Sequence, residues 1–275
     1  MVYTEIPPPR PLAHVVRSFW TLEGNDRVKN DLAIRQLPFS CPRFVIHYQN
    51  HFHIRVPSGK GERVPTSILN GHTHTYQEYS VNGRFGVVGA YLFPYAPHLL
   101  FHLSAPDYFN RLLSLEEVLK PAELQSLENE ILNASNNEKR INRMAIFLLD
   151  KWKKVQQRAE PVNEMVQHIL SGNGNIPVVA LSEGSGISLK QLDRKFRLAI
   201  GMTPKSFSCL VRFQSTVSRF ASPSLKNLTD LALEQGYYDQ SHFIHEFRRF
   251  AGFSPSSIYY HKSWTVADVI CGLAE

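Results

Sequence analysis

The sequence predicts an α+β chain of two domains. The first is a small antiparallel β-barrel with accompanying helices. The second is an all-α domain of two helix-turn-helix units joined by a long helix. Three observations predict this. Short strand-like runs separated by turn residues fill positions 1 to about 110. From Leu112 to Arg158 the apolar period becomes helical. Near the C-terminus a helical pattern occurs twice, with its landmarks 51 positions apart.

The barrel is read from four runs: 43–49, 52–56, 66–69 and 84–93. Turn signals separate them at 57–61, Asn70-Gly71, Asn82-Gly83 and Phe93-Pro94. Short strands at such spacing suit antiparallel pairing in a small barrel or sandwich. Pro11 to Trp20 reads as a helix running into a strand. Trp20, Phe44, Tyr48, Phe85, Tyr91, Phe93 and Phe101 are candidates for an apolar effector pocket or for ordinary core.

In the middle segment, Ser114 to Glu117 and Pro121 open short helices, with Leu124, Leu127, Ile131 and Leu132 on one face. Residues 133–137 form a polar break. Ile141, Met144, Ala145, Leu148, Leu149, Trp152 and Val155 then form a long apolar stripe. It can pack on the barrel or pair with the same stripe of a second subunit. Lys151 to Glu160 is polar, stops at Pro161 and reads as the linker. The domain boundaries are therefore 1–158, including the helical segment 112–158, then 159–264, with a tail at 265–275.

The repeat aligns Leu192 with Phe243, Phe196 with Phe247, Gly201 with Gly252 and Pro204 with Pro255. Ser188 and Asp239 can accept from the free N–H groups of a first helical turn. The pairs Leu192/Phe196 and Phe243/Phe247 stand at i, i+4 and make one face apolar. Gly201 and Gly252 suit left-handed helix ends. Thr203-Pro204 and Ser254-Pro255 suit the start of a further helix. Shorter apolar helices precede each copy, at 178–183 and 228–235, which completes two helix-turn-helix units. Between them, Phe207, Leu210, Val211 and Val217 mark one connecting helix of about 17 residues, or about 25 Å. Successive major grooves on one face of DNA lie about 34 Å apart, so that spacer suits two reading helices in adjacent grooves.

Val162 to Lys262 resembles the DNA-binding domain of the AraC/XylS family of bacterial transcription regulators. The block from Gly236 to Pro255 carries most of the resemblance; the copy from Gly186 to Pro204 is looser but keeps its spacing. Val162, Met165, Val166, Ile169 and Leu170 form an amphipathic opening helix where that family has one. The resemblance implies a sequence-specific regulator that binds double-stranded promoter DNA and contacts RNA polymerase. It also implies a cupin-like N-terminal module that senses a small molecule or forms a homodimer.

The outward positions of the first unit are Lys190, Gln191, Asp193, Arg194 and Arg197. Lys190 and Arg194, one turn apart, are the candidates for base edges, and Arg197 for phosphate. Asp193 can accept from cytosine N4 or pair with Arg197 four residues on. In the second unit the outward residues are Gln240, Ser241, Ile244, His245 and Arg248. The resemblance places Gln240, Ser241, Ile244 and His245 where the family reads bases. His245 replaces the arginine often found there, and Ile244 suits a thymine methyl. His242 is expected to pack at the helix start and meet phosphate. Arg248 and Arg249 are expected to bind phosphate, which adds affinity without specificity.

Composition sets the limits. A chain of 275 residues with 43% hydrophobic and 20% charged residues can bury two cores. A net charge of +6 permits a polyanionic partner. From Glu160 to Trp264 there are 11 Lys/Arg against 8 Asp/Glu, a net of +3. Cys41, Cys209 and Cys271 lack metal spacing and suggest a reducing compartment. No basic-then-apolar leader and no run of about 18 apolar residues is found. These features predict a cytoplasmic, nucleoid-associated protein with no membrane partner.

Eight of the 12 histidines lie in the first 110 residues. His72, His74 and Glu78 are spaced H-x-H-x3-E, and His98 follows. Such a set can hold a metal in a cupin enzyme, so one rival reading is a metal-dependent enzyme fused to a DNA-binding module. The simpler reading is a turn with two exposed histidines after Asn70-Gly71. No nucleophile elbow, phosphate loop or dinucleotide fingerprint occurs. The glycine-rich stretch 58–61 reads as a hairpin turn. No enzymatic activity and no cofactor are expected.

Overall fold

The computed structural model describes residues 1–24, 32–55, 61–155, 161–183, 187–220 and 227–257. The linker at 156–160, the tail at 265–275, Gly186, Cys271 and most of the stretch at 57–61 lie outside the described residues. The chain forms two compact units. One comprises Met1–Ile34, Cys41–His72 and Glu78–Arg158. The other comprises Arg35–Ser40, Thr73–Gln77 and Ala159–Glu275.

The strands are β1 (Val2–Ile6), β2 (Val16–Gly24), β3 (Leu32–Gln36), β4 (Arg43–His47), β5 (His53–Arg55), β6 (Gly61–Arg63), β7 (Ser67–Asn70), β8 (Gln77–Val81), β9 (Phe85–Leu92) and β10 (Leu112–Ser114). They form two sheets, in the orders β1-β2-β9-β4-β7-β10 and β3-β8-β5-β6. β9 is buried along its whole length, because β2 and β4 flank it antiparallel. Its run of Val87, Val88, Ala90 and Leu92 suits a strand covered on both faces.

The expected barrel is corrected here: no sheet closes among the described residues. Closure needs the last strand to pair with the first. β10 has three residues and passes at once into a 3-10 turn, where Ser114 and Glu117 cap each other. β1 pairs with β2 and alternates exposed and half-buried residues, as an edge strand does. The unit is instead a mixed α/β arrangement with two open sheets. Its principal core joins Trp20, Val45, Ile68, Val87 and Tyr91 of the larger sheet to Phe52, Tyr79 and Val81 beside or within the smaller one.

Helices cover part of the larger sheet. α1 spans Ala96–Phe101, α2 Ala105–Tyr108, α3 Pro121–Leu132 and α4 Asn137–Lys153. Asn136 caps α4 by accepting from the Lys139 N–H. The stripe on α4 is spent inside the unit: Ile141, Met144, Ala145 and Leu148 are buried, and α4 contacts β2, β9, α1 and α3. Phe44 stacks with Phe101 and Phe147, both at 5.7 Å between ring centroids. The Pro11–Trp20 helix is only a 3-10 turn at Arg10–Leu12, because β2 already starts at Val16.

The second unit contains α5 (Pro161–Ser171), α6 (Val178–Glu183), α7 (Leu189–Ile200), α8 (Pro204–Arg219), α9 (Leu228–Glu234) and α10 (Gln240–Ala251). α5 buries Val162, Met165, Val166 and Ile169, the stripe expected of an opening helix. Two short segments from earlier in the chain belong to this unit. Gln214 on α8 donates to the Pro38 carbonyl and accepts from Ser40 Oγ, which satisfies a fully buried amide. After α10 the described chain ends in a turn in which the Ser257 N–H donates to the Ser254 carbonyl. The helix expected to start at Pro255 would fall mostly on residues after Ser257, which lie outside the described residues.

Candidate nucleic-acid interface

Each reading helix is set by its own ends. Ser188 Oγ accepts from the Gln191 N–H, and the Gln191 side chain accepts in return from the Ser188 N–H, giving a reciprocal cap on α7. Asp239 accepts from the His242 N–H at the start of α10. Gly201 and Gly252 close the two helices at φ of 82° and 79°, a left-handed geometry that favours glycine. Thr203 caps α8 through the Ser206 N–H, with Pro204 at the first position.

One face of each reading helix is core. Leu192, Phe196 and Ile200 are buried on α7; Phe243, Phe247 and Phe250 are buried on α10. α8 serves both cores. Phe207 meets Phe196 at 5.7 Å, while Phe213 meets Phe247 at 5.2 Å and Phe250 at 4.9 Å. Burying such a ring contributes about 1.5–3 kcal/mol. The connector has 16 residues, or about 24 Å at the helical rise.

The other faces are open. Lys190, Gln191, Arg194 and Arg197 are exposed on α7; Ser241, His245, Arg248 and Arg249 are exposed on α10. Gln240 and Ile244 are half-buried. Asp193 accepts from Arg197 Nε at 3.1 Å, so the helical pairing is present. Arg249 lies over the Phe250 ring at 5.5 Å, and His242 packs edge-on to Tyr237 at 5.6 Å.

Two glutamines are partly committed. Gln191 spends its side-chain oxygen on the cap, and Gln240 accepts from Thr229 Oγ1 of α9 at 3.0 Å. Each keeps its NH2 group as a donor. The bidentate donor–acceptor pairing with adenine needs both ends of the amide, so either glutamine must leave its intramolecular bond to make it.

Sequence reasoning missed a buried ion pair behind α10. Arg212 of α8 donates through Nη2 to both oxygens of Glu246, at 3.2 and 3.1 Å. The available signal was Glu246 itself, a carboxylate within the apolar stripe of Phe243, Phe247 and Phe250. The pair lines a cleft of about 770 Å³ together with Lys205, His242, His245 and Arg249. Cys209 lies 3.6 Å from Arg212, and burial beside Glu246 pushes its thiol up to about 11, so it stays protonated.

His47 and His72 of the first unit are buried in its packing. His72 is fully buried against Tyr108 and Phe109, which corrects the expectation that it lies exposed in a turn. Gly71 passes so close to the Tyr108 carbonyl that a Cβ would sit 1.7 Å from it, which draws His72 inward. His98 Nδ1 lies 3.0 Å from the Leu103 carbonyl, in hydrogen-bond reach. Burial lowers the pKa of His47 to about 4, and its Nδ1 lies 3.1 Å from the Thr66 carbonyl. No group of three or more His, Cys, Asp or Glu among the described residues is placed to hold a metal. His72, His74, Glu78 and His98 thus form no such site there. No described helix is long and apolar enough to cross a membrane.

Residues 181–259 match a family described as a helix-turn-helix domain, HTH_18. Residues 4–114 match a domain of unknown function, DUF6597. Among curated proteins there is no significant match. Similar solved structures include ToxT from Vibrio cholerae, at 10% identity and a TM-score of 0.49, covering 88% of this chain and 98% of that one. ToxT bound to (E)-4-(8-methylnaphthalen-1-yl)but-3-enoic acid has 10% identity and a TM-score of 0.48, covering 87% and 97%. ToxT bound to an unsaturated fatty acid has 11% identity and a TM-score of 0.44, covering 87% and 93%.

Two capped helices with exposed basic faces, each preceded by a shorter helix, coincide with the residues that the helix-turn-helix family matches. The second unit thus carries a helix-turn-helix domain with two such motifs in tandem.

Proposed function

We propose that α7 and α10 read adjacent major grooves of promoter DNA. Lys190 and Arg194 address base edges from the first head. Gln240, Ser241, Ile244 and His245 address them from the second. Gln191, Arg197, Arg248 and Arg249 hold the sugar–phosphate backbone. The observation that carries this reading is the pair of open helix faces, each backed by its own aromatic core and joined through one shared helix. A shared rigid connector gives the two heads one spacing, which converts two weak contacts into one long recognition sequence.

Residues 159–264 form the DNA-binding domain in this reading, with 265–275 as a tail. Residues 1–158 sense a small molecule or mediate self-association, and RNA polymerase is the further partner. The aromatic cluster of Trp20, Phe52, Tyr79, Phe85 and Tyr91 supports an apolar sensing role. A ligand would act by shifting the population of DNA-competent molecules. Selection from random DNA should return a bipartite sequence with half-sites about one helical turn apart. Arg194→Ala should flatten preference in one half-site and Gln240→Ala in the other. Wild-type preferences in both variants would overturn the assignment of the reading faces. Thermal stabilisation of the full chain by a small molecule would distinguish sensing from self-association alone.

A further inference from the structure

We infer that Arg212 is a positioning residue that aims the second reading helix, so that base discrimination at the second half-site depends on a side chain pointing away from DNA. The inference rests on the proposed two-headed reading and assigns its alignment to one buried ion pair. Arg212 and Glu246 expose only 15% and 7% of their side chains. Taking two charges out of water costs several kcal/mol per ion, so an apolar pair would hold α8 to α10 at least as firmly. What the charged pair adds is direction. Arg212 Nη2 sits within reach of both Glu246 oxygens while the guanidinium also lies over the Tyr237 ring, so one side chain fixes α10 and the turn before it against α8.

The surroundings hold the guanidinium. The guanidinium lies 4.7 Å from the centroid of the Tyr237 ring, a cation–π distance. Tyr237 occupies the turn before α10 and packs on Phe243 at 5.2 Å and on His242 at 5.6 Å. Arg212 therefore engages both the turn and the helix of the second motif. On the opposite side, Gly174 at φ 76° passes so close that a Cβ would lie 2.6 Å from the Arg212 backbone nitrogen. Glu246 directly follows His245, so a turn of α10 about its axis moves the reading face with it. At the side-chain radius of a helix, a rotation of about 20° carries a base-contacting atom about 2 Å, enough to lose a hydrogen bond.

The first head is built differently. At the 51-residue offset, Glu246 corresponds to Lys195, which is half-buried. The ion pair described on α7 is the exposed Asp193–Arg197 pair, which lies on the helix itself and ties it to nothing else. The effect of Arg212 should therefore be confined to one half-site.

The test uses the full chain with DNA carrying its selected site, a panel of single-base changes in each half, and spacers lengthened or shortened by one base pair. The variants are Arg212→Lys, which keeps the charge without the planar guanidinium over Tyr237, and the double variant Arg212→Met with Glu246→Met, which keeps the volume without buried charge. Melting temperatures report folding. The double variant should melt like wild type or higher. Its discrimination at the second half-site should fall about tenfold or more, with a broadened spacing optimum. Discrimination at the first half-site should remain unchanged. Arg212→Lys should show the same loss to a smaller degree. Unchanged second-half discrimination in both variants would overturn the inference, as would equal losses at both halves. A wild-type protein without bipartite preference would instead overturn the two-headed reading beneath it.

Discussion

The two reading heads come from one repeated pattern, yet they are held in place by different means. The first head buries Leu192, Phe196 and Ile200 in its core, and its described polar contacts run along its own helix: a reciprocal Ser188–Gln191 cap and an exposed ion pair. The second relies on what lies behind it. Phe213, Phe220, Phe243 and Phe253 all pack on Phe247, and Arg212 grips Glu246. Local capping sets where a helix starts; only packing and buried polar contacts set how it is aimed. The difference suggests a cationic, self-supporting first head for affinity and a braced second head for discrimination.

The largest test of that contrast is in the cores. Phe247→Ala should cost about 3–5 kcal/mol in denaturant unfolding, and Phe196→Ala less, because the Phe247 ring has more aromatic neighbours. A greater loss at Phe196 would reverse the assignment of the braced head.

On DNA, Arg194→Ala should cost about 1–3 kcal/mol and act on one half-site. Arg248→Ala should weaken all sequences alike and lower the salt slope of binding by about one. A titration over ionic strength separates the two. Base selectivity lost at Arg248 would move that residue from backbone to base contact.

Smaller effects are expected at the helix ends. Gly252→Ala and Gly201→Ala should each cost about 1–2 kcal/mol through the left-handed conformation. Gly252→Ala should be the costlier, since its Cβ would lie 2.1 Å from the Tyr76 ring. Thermal melting of the two variants ranks them directly.

The smallest effect is at Asp193. Its side chain and that of Arg197 are 43% and 60% exposed, so Asp193→Ala should cost only about 0.3–0.5 kcal/mol of stability. The same change should tighten DNA binding if, as proposed, that face meets phosphate, because it removes a carboxylate from it. Weaker binding would instead support Asp193 as an acceptor from cytosine.

The two capped helices and their exposed faces were legible because their signals are local. A cap, an i, i+4 apolar pair and a left-handed glycine all act within one helix, and the 51-residue repeat brought them into view together. The commitments of Gln191 and Gln240 were less so: Gln191 follows from its spacing to Ser188, whereas Gln240 depends on Thr229, eleven residues away on another helix. In the N-terminal half, four strands were recognised where apolar runs are dense. β2 was read only as the end of a helix-to-strand run, and β1, β3, β6, β8 and β10 were not read; of these, β1, β3, β6 and β10 lie at sheet edges, where alternation is weak.

The sequence by itself determined the two capped helices, the connector between them and the open basic faces, since each follows from interactions across a few residues. Tertiary structure alone decided three things: that the sheets stay open, that His72 is buried, and that Arg212 meets Glu246. Sheet closure depends on whether distant edges meet, burial on what covers a side chain, and a bond across 34 residues on how two helices pack. None of these is a property of any short stretch of the chain.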